Sequence, residues 1–332
     1  MTNIIIKDDY FRFLNKHFKQ IDKCFIDTFK DIYLSKNQTT SLNNINNKQI
    51  KFLVNEIYIK KNVQALNDFM LLLTHFMSFR SANKLLTLIK SKEQISDIFI
   101  LQYIEKLNSY NKRQNSIYSL KNRCKKQDFG FNLMKLNIIK NNIKINSSNF
   151  KYLDIGCGNG SKTLIFSKLF DLENKNIYGT DIKTWGPYSE NKNFPFDFKY
   201  ILDNGKLDYN NNKFDVITCF LTLHHVENLD IILNEIYRIL KKGGLLVIIE
   251  HDCINYFNKL IIEIQHTLFG YFYDNNKNIV NHPLYATYYN HLEWQYILSK
   301  YNFKVLLTDN FYQNSEMKRR YDNQYYAIFK KK

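Results

Sequence analysis

A chain of 332 residues with 47 Lys and Arg against 31 Asp and Glu, a net charge of +16, is long enough for a core of ordinary size and two domains. Its 26 Phe and 24 Tyr exclude a disordered class, and no run of about 18 uncharged apolar residues exists to cross a membrane. MTNIIIKDDY lacks the basic-then-apolar order of a signal peptide, so none is expected. Five cysteines (24, 124, 157, 219 and 253) are odd in number and scattered without CxxC pairs, which points to a reducing, cytoplasmic setting and to no structural zinc.

The charge is unevenly placed. Residues 1–149 hold 25 basic and 11 acidic side chains, +14, whereas residues 150–332 hold 22 and 20, +2. A basic module ahead of a neutral one fits a polyanionic partner such as RNA; a solvated surface rich in lysine fits the same counts.

In chain order, Asp8 or Asp9 can cap a helix carrying Phe11, Leu14, Phe18, Ile21, Phe25, Phe29 and Ile32, whose spacings of 3 and 4 form one apolar stripe. Ser35–Asn47 reads as a loop. Helical patterns return over Ile50–Lys61, Val63–Arg80, Ser81–Lys90 and Ile95–Leu107, so residues 1–126 are expected to form a helical, basic N-terminal domain. Its densest basic stretch, Lys112–Lys126, contains Arg113, Lys121, Arg123 and Lys125 and no acid, which suits phosphate contacts or an exposed linker. Phe129–Ile145 should be the helix that enters a second domain, residues 127–332.

That domain is organised around KYLDIGCGNG. Tyr152–Ile155 is a short apolar run of strand type, Gly156, Gly158 and Gly160 follow, and helical spacing resumes at SKTLIFSKLF. Strand, glycine turn and helix together bring bare backbone N–H groups to a ligand. Ile177–Asp181 reads as the next strand, placing Asp181, 27 residues after Asp154, where a carboxylate can accept from both hydroxyls of a ribose. The dinucleotide fingerprint G-x-G-x-x-G would need glycine at Ser161; here the third glycine is Gly160.

Phe198–Leu202, Phe214–Phe220 and Leu245–Ile249 read as further strands. Ile231–Leu240 reads as a helix stopped at Lys241–Gly244, and Lys304–Thr308 with Gln324–Phe329 as a closing antiparallel hairpin. The segment from Asn255 to His291, rich in Tyr and Phe, should cap the substrate side.

D-x-G-x-G-x-G resembles motif I of the class I S-adenosylmethionine (SAM) methyltransferases, and FDVITC…LHHV…LNEIYRILKKGG resembles their type 11 branch. The version with Glu250-His251-Asp252 and Ile264-Gln265-His266 is most similar to methyltransferases of large DNA viruses; the resemblance spans about residues 130–330. It implies a Rossmann-like seven-stranded sheet, SAM as cofactor, and methyl transfer as the reaction. It also implies cofactor contacts from Asp154 (ammonium group), Gly156, Cys157, Gly158, Asn159 and Gly160 (methionine part), Asp181 and Ile182 (ribose side), Asp203 and Asn204 (adenine), and Cys219 and Phe220. An intact Asp154, Asp181 and Asp203 set argues against a silent SAM-fold subunit that only binds RNA.

Because SAM carries its own leaving group, methyl transfer asks mainly for alignment, and a base only where the acceptor holds a proton of high pKa. Candidates at strand ends are His224, His225, Glu250, His251 and Asp252, with His266 further on. His225 and His251 are the candidate catalytic bases, with a structural role beneath the cofactor as the other reading. LTLHHV stands where [DN]PP[YF] would serve amino-nitrogen methylation of a base, and the Lys-Asp-Lys-Glu set of ribose 2′-O enzymes is not evident. FDVITC…LHHVEN is also similar to cap guanine-N7 methyltransferases, without their GKGGD-like continuation. The expected acceptor is RNA bound through the basic half, the alternative a quinone, lipid or other metabolite. No metal is assigned.

Overall fold

The computed structural model describes residues 56–57, 60–76, 79–91, 132–143, 150–183, 194–272, 286–311 and 323–332. The expected helix over residues 8–32 and the basic stretch Lys112–Lys126 lie outside the described residues. The elements are α1 (Val63–Phe76), α2 (Phe79–Ser91), α3 (132–142), β1 (Tyr152–Ile155), α4 (Ser161–Leu169), β2 (Ile177–Asp181), β3 (Asp197–Tyr200) and β4 (Phe214–Phe220). They continue as α5 (Leu229–Ile239), β5 (Leu240–His251), α6 (Tyr256–Phe272), α7 (His291–Lys300), β6 (Phe303–Asn310) and β7 (Gln324–Lys331).

The seven strands form one sheet in the order β3-β2-β1-β4-β5-β7-β6. β1 to β5 run parallel, and β7 pairs antiparallel with both β5 and β6. This is the Rossmann-like sheet with a closing hairpin that the sequence leads one to expect. Parallel strands flanked by helices lose both faces to the core, so they need near-continuous apolar sequence. YLDI in β1 is buried at every position, and FDVITCF in β4 at all but Asp215.

Each face of the sheet has its own core. On one, α5 and α7 bring Ile232, Leu233, Ile236, Trp294 and Ile297 against Leu153, Ile217 and Ile248. On the other, α3 and α4 bring Leu136, Ile139, Ile165 and Phe166 against Tyr152, Val216 and Val247. Alternate residues of one strand therefore feed opposite cores. α1 packs against α2 and also against α6, joining the N-terminal helices to the segment after β5.

Two boundaries differ from the sequence reading. The helical pattern Val63–Arg80 is broken into α1, which ends at Phe76, and α2, which begins at Phe79. β5 begins at Leu240, directly after α5, and not at Leu245 beyond a glycine stop. Its register skips from Leu240 opposite Phe214 to Leu245 opposite Val216, so Lys241–Gly244 is a bulge within the strand. Gly244 permits it, because a Cβ there would lie 3.0 Å from the Asp215 carbonyl oxygen.

The strand order reverses at β1, with β2 on one side and β4 on the other. In open α/β sheets a ligand binds at that reversal, beyond the carboxyl ends of the strands.

Candidate functional site

The turn after β1 is tied to β2. The N–H groups of Gly156 and Cys157 both donate to the Thr180 carbonyl oxygen, at 2.8 and 3.2 Å, and Gly160 is the N-cap of α4. Gly156 sits at φ 71°, and a Cβ there would come within 2.3 Å of the Thr222 side chain, so the loop after β4 presses on it. Gly158 is also left-handed, at φ 57°, but nothing lies within 4 Å of where its Cβ would be. One glycine is required by packing inside the protein; the other presents bare backbone to open space.

Asp181, at the end of β2, reaches back to this turn. Its Oδ2 accepts from the Gly158 N–H at 2.8 Å and its Oδ1 from the Ile182 N–H at 2.7 Å. The next side chain, Ile182, is 71 % exposed, an unusual state for an isoleucine and a ready apolar surface for a planar ring. Asp203 and Asn204 lie on an exposed turn after β3 that closes with the Gly205 N–H on the Leu202 carbonyl oxygen at 2.7 Å. Asn159 is exposed and its side chain accepts from the Ser161 N–H at 3.1 Å.

Asp154 differs from Asp181. It is buried in the middle of the sheet, where its two oxygens accept from the hydroxyls of Thr163 and Thr218, each at 2.6 Å. Burial pushes its carboxyl up to about 6, against the pull of those two hydrogen bonds and of Lys162. Thr163 and Thr218 escaped the sequence reading, since neither spacing nor residue type marks a threonine as the partner of a buried acid. Cys219 is wholly buried in one core and Phe220 in the other, while Cys157 is buried beneath the glycine turn with its Sγ 3.1 Å from where a Gly179 Cβ would lie. Of the sequence candidates, the turn and Asp181 come together, the turn of Asp203 and Asn204 follows the neighbouring strand β3, and Cys219 contributes to the site no exposed side chain.

These features fit SAM. A polar turn with an open glycine, a carboxylate at the end of the adjacent strand and an exposed apolar side chain beside it match an amino-acid end, a ribose and a base in that order. Asp181 would hold the ribose, the turn from Gly156 to Gly160 the methionine part, and Ile182 one face of the adenine.

Across the reversal, the carboxyl ends of β4 and β5 deliver a different chemistry. Leu223–His225 forms one 3-10 turn after β4, and β5 ends on Glu250-His251. Glu250 is fully buried: its Oε1 accepts from the N–H groups of Leu223 at 2.8 Å and Thr222 at 3.2 Å, and its Oε2 lies 2.5 Å from His224 Nδ1. Burial raises its carboxyl to about 7, opposed by the nearby His251 and by those backbone donors. α6 brings His266, whose Nε2 is 3.2 Å from His224 Nε2. His225 and His251 complete the group, with ring centroids 4.1 and 5.1 Å from that of His224. Tyr288, within the segment expected to cap the substrate side, packs its ring against His224, His251 and His266. The Thr287 N–H donates to the His224 carbonyl oxygen at 2.7 Å, fixing this segment over the turn. The two candidate bases differ in access, His251 being buried and His225 exposed.

Comparison with known families matches residues 153–248 to the methyltransferase domain family described as "Methyltransferase domain". No curated protein matches the chain. Among solved structures, the YcgJ protein of Bacillus subtilis aligns at 16 % identity and TM-score 0.41, covering 59 % of this chain and 97 % of its own. A SAM-dependent methyltransferase of Methanosarcina mazei aligns at 18 % identity and TM-score 0.39, covering 58 % and 96 %. The CurJ carbon methyltransferase aligns at 17 % identity and TM-score 0.42, covering 85 % and 70 %. It is the strand order and the matched domain that identify the fold.

Proposed function

We propose that this SAM-dependent methyltransferase transfers its methyl group to a nucleic acid, RNA in the first place, held through the basic N-terminal half. The observation that carries the choice of acceptor is the partition of charge, +14 over residues 1–149 against +2 over residues 150–332. When bound, SAM supplies an activated methyl group on a sulfonium that leaves as a neutral thioether. The chain's own part is placement. Asp181 and the Gly156–Gly160 turn hold the donor on the β1 and β2 side, and the loops after β4 and β5 bound the acceptor on the other.

In this reading His225 and His251 stand on the acceptor side, where either can take a proton if the acceptor is a hydroxyl or a protonated nitrogen. The three buried free cysteines, Cys157, Cys219 and Cys253, suit a reducing, intracellular setting. A second reading, a small-molecule acceptor, is favoured by one feature: His224 and His251 are only 2 % and 4 % exposed, packed beside Tyr288, a site that admits a small group more readily than a polymer.

Incubating the full chain with methyl-labelled SAM and separated RNA, DNA, protein and lipid fractions tests the proposal. Label is expected in RNA, with affinity that falls steeply as salt rises, and neutralising Arg113, Lys121, Arg123 and Lys125 together should flatten that slope. Asp181→Ala is the control for the donor, expected to weaken SAM by about 2–3 kcal/mol through loss of charged hydrogen bonds. Label confined to lipid or to small molecules would overturn the nucleic-acid reading.

A further inference from the structure

The histidine group at the ends of β4 and β5 brings two ring nitrogens face to face. His266 Nδ1 lies 2.8 Å from the Ile262 carbonyl oxygen, which can only accept, so the proton of the neutral ring sits on Nδ1. His224 Nδ1 lies 2.5 Å from Glu250 Oε2, so that nitrogen too is taken up by a neighbour on its own side of the ring. The Nε2 atoms of the two rings are left to face each other at 3.2 Å. One proton can bridge that gap, and so can a metal ion to which both nitrogens give a lone pair.

We propose that His224, His225 and His266 bind one divalent transition metal ion of the zinc or cobalt type. Their ligand atoms all lie within 4.8 Å of one another. Two nitrogens bound at the usual zinc distance in a tetrahedron are about 3.3 Å apart, close to the His224–His266 separation. Three imidazoles without thiolate or a direct carboxylate are a borderline donor set, which suits zinc, cobalt, nickel or copper and not calcium or magnesium.

The surroundings agree with this assignment. A metal-bound histidine ordinarily gives its other N–H to a carboxylate or a backbone carbonyl, which fixes the ring and raises its basicity. His224 does so to Glu250 and His266 to Ile262, one of each kind. Glu250 is held in turn by the N–H groups of Leu223 and Thr222. The hydroxyl of Tyr288, whose ring packs on His224 and His266, is buried without a hydrogen-bond partner among the described residues. The three ligands grade from buried His224 through half-buried His266 to exposed His225, so the ion would be anchored on the protein side and reachable from the other. The site can be tested apart from methyl transfer, and a metal on His225 would leave His251 as the candidate base.

The test is cobalt titration of the untagged full chain after treatment with chelator. One equivalent of Co²⁺ should saturate, with the visible absorption of a low-coordinate cobalt centre, and one equivalent of Zn²⁺ should abolish the band. His266→Ala, at a half-buried position, should lower the apparent affinity by about 100-fold or more, while Glu250→Gln should lower it by about 10–100-fold. His291→Ala, a histidine held by Asp252 outside the group, should leave it unchanged. Should His224→Ala fail to fold, His266→Ala still decides, with circular dichroism to show that it is folded. No saturable cobalt in the folded wild type, or a band that survives His266→Ala, would overturn the assignment.

Discussion

The two ends of the crevice are built by different means. The cofactor end, around β1 and β2, is made of backbone: a glycine turn tied to Thr180, an open Gly158, and one carboxylate that accepts from a backbone N–H. The histidine end, around β4 and β5, is made of side chains from separate segments: the turn at Leu223–His225, the end of β5, α6, and the stretch at Tyr288. A backbone cradle tolerates little change in its glycines, which the Thr180 carbonyl and the Thr222 side chain meet from neighbouring segments. A side-chain cluster depends on every element that brings a member to it. The same sheet reversal serves both, and in the proposed reading one end holds the cofactor and the other bounds the acceptor.

The sharpest test of that contrast lies in the glycines. Gly156→Ala should destabilise the fold by about 2–5 kcal/mol, combining a left-handed backbone of about 1–2 kcal/mol with overpacking against Thr222 of about 1–3 kcal/mol. Gly158→Ala, facing open space, should cost only the backbone part, about 1–2 kcal/mol, and show its main effect as weaker SAM binding. Urea unfolding beside SAM titration separates the two. Equal losses of stability would mean that Gly158 is also a packing residue and not a binding surface.

Asp154 offers a pH test of the same end. Its folded carboxyl, raised to about 6 from an ordinary 3.8, prefers the protonated form, so its contribution to stability is fully present below the ordinary value and is lost as pH rises through about 6. Two pH units correspond to about 3 kcal/mol. Wild type should therefore lose stability relative to Asp154→Asn as pH rises from 4 to 7. Chemical denaturation at several pH values reads the difference, and parallel curves would show that the two threonine hydroxyls fully offset the burial.

The smallest effect is expected on the histidine side. Asn290 caps α7 by accepting from the N–H groups of Leu292 and Glu293, and Glu293 returns a contact to the Asn290 N–H, forming a capping box. The next residue, His291, donates its backbone N–H to Asp252, one residue beyond His251. Asn290→Ala should cost about 1 kcal/mol in thermal unfolding and leave SAM affinity unchanged. A loss of SAM affinity would show that the two ends of the crevice are coupled and would undo the comparison.

The sequence by itself determined the strand, glycine turn and helix at β1 and the fold around them. Tyr152–Ile155, the glycines and Asp181 lie within 30 residues, and their arrangement follows from strand period, left-handed backbone and one crossover length, all of them local properties. The hairpin of β6 and β7 was legible for the same reason. The bulge at Lys241–Gly244 was not, because two glycines after a helix read as a stop, and only pairing with β4 shows that the strand has already begun. Tertiary structure alone decided that His224 meets His266 across 42 residues, with Glu250 behind one ring and the Ile262 carbonyl behind the other. Each histidine was visible as a candidate, but which nitrogen faces which is fixed by the crossing of a turn, a strand end and a helix. Nothing in the chain between them encodes that distance except the way the whole sheet and its helices pack.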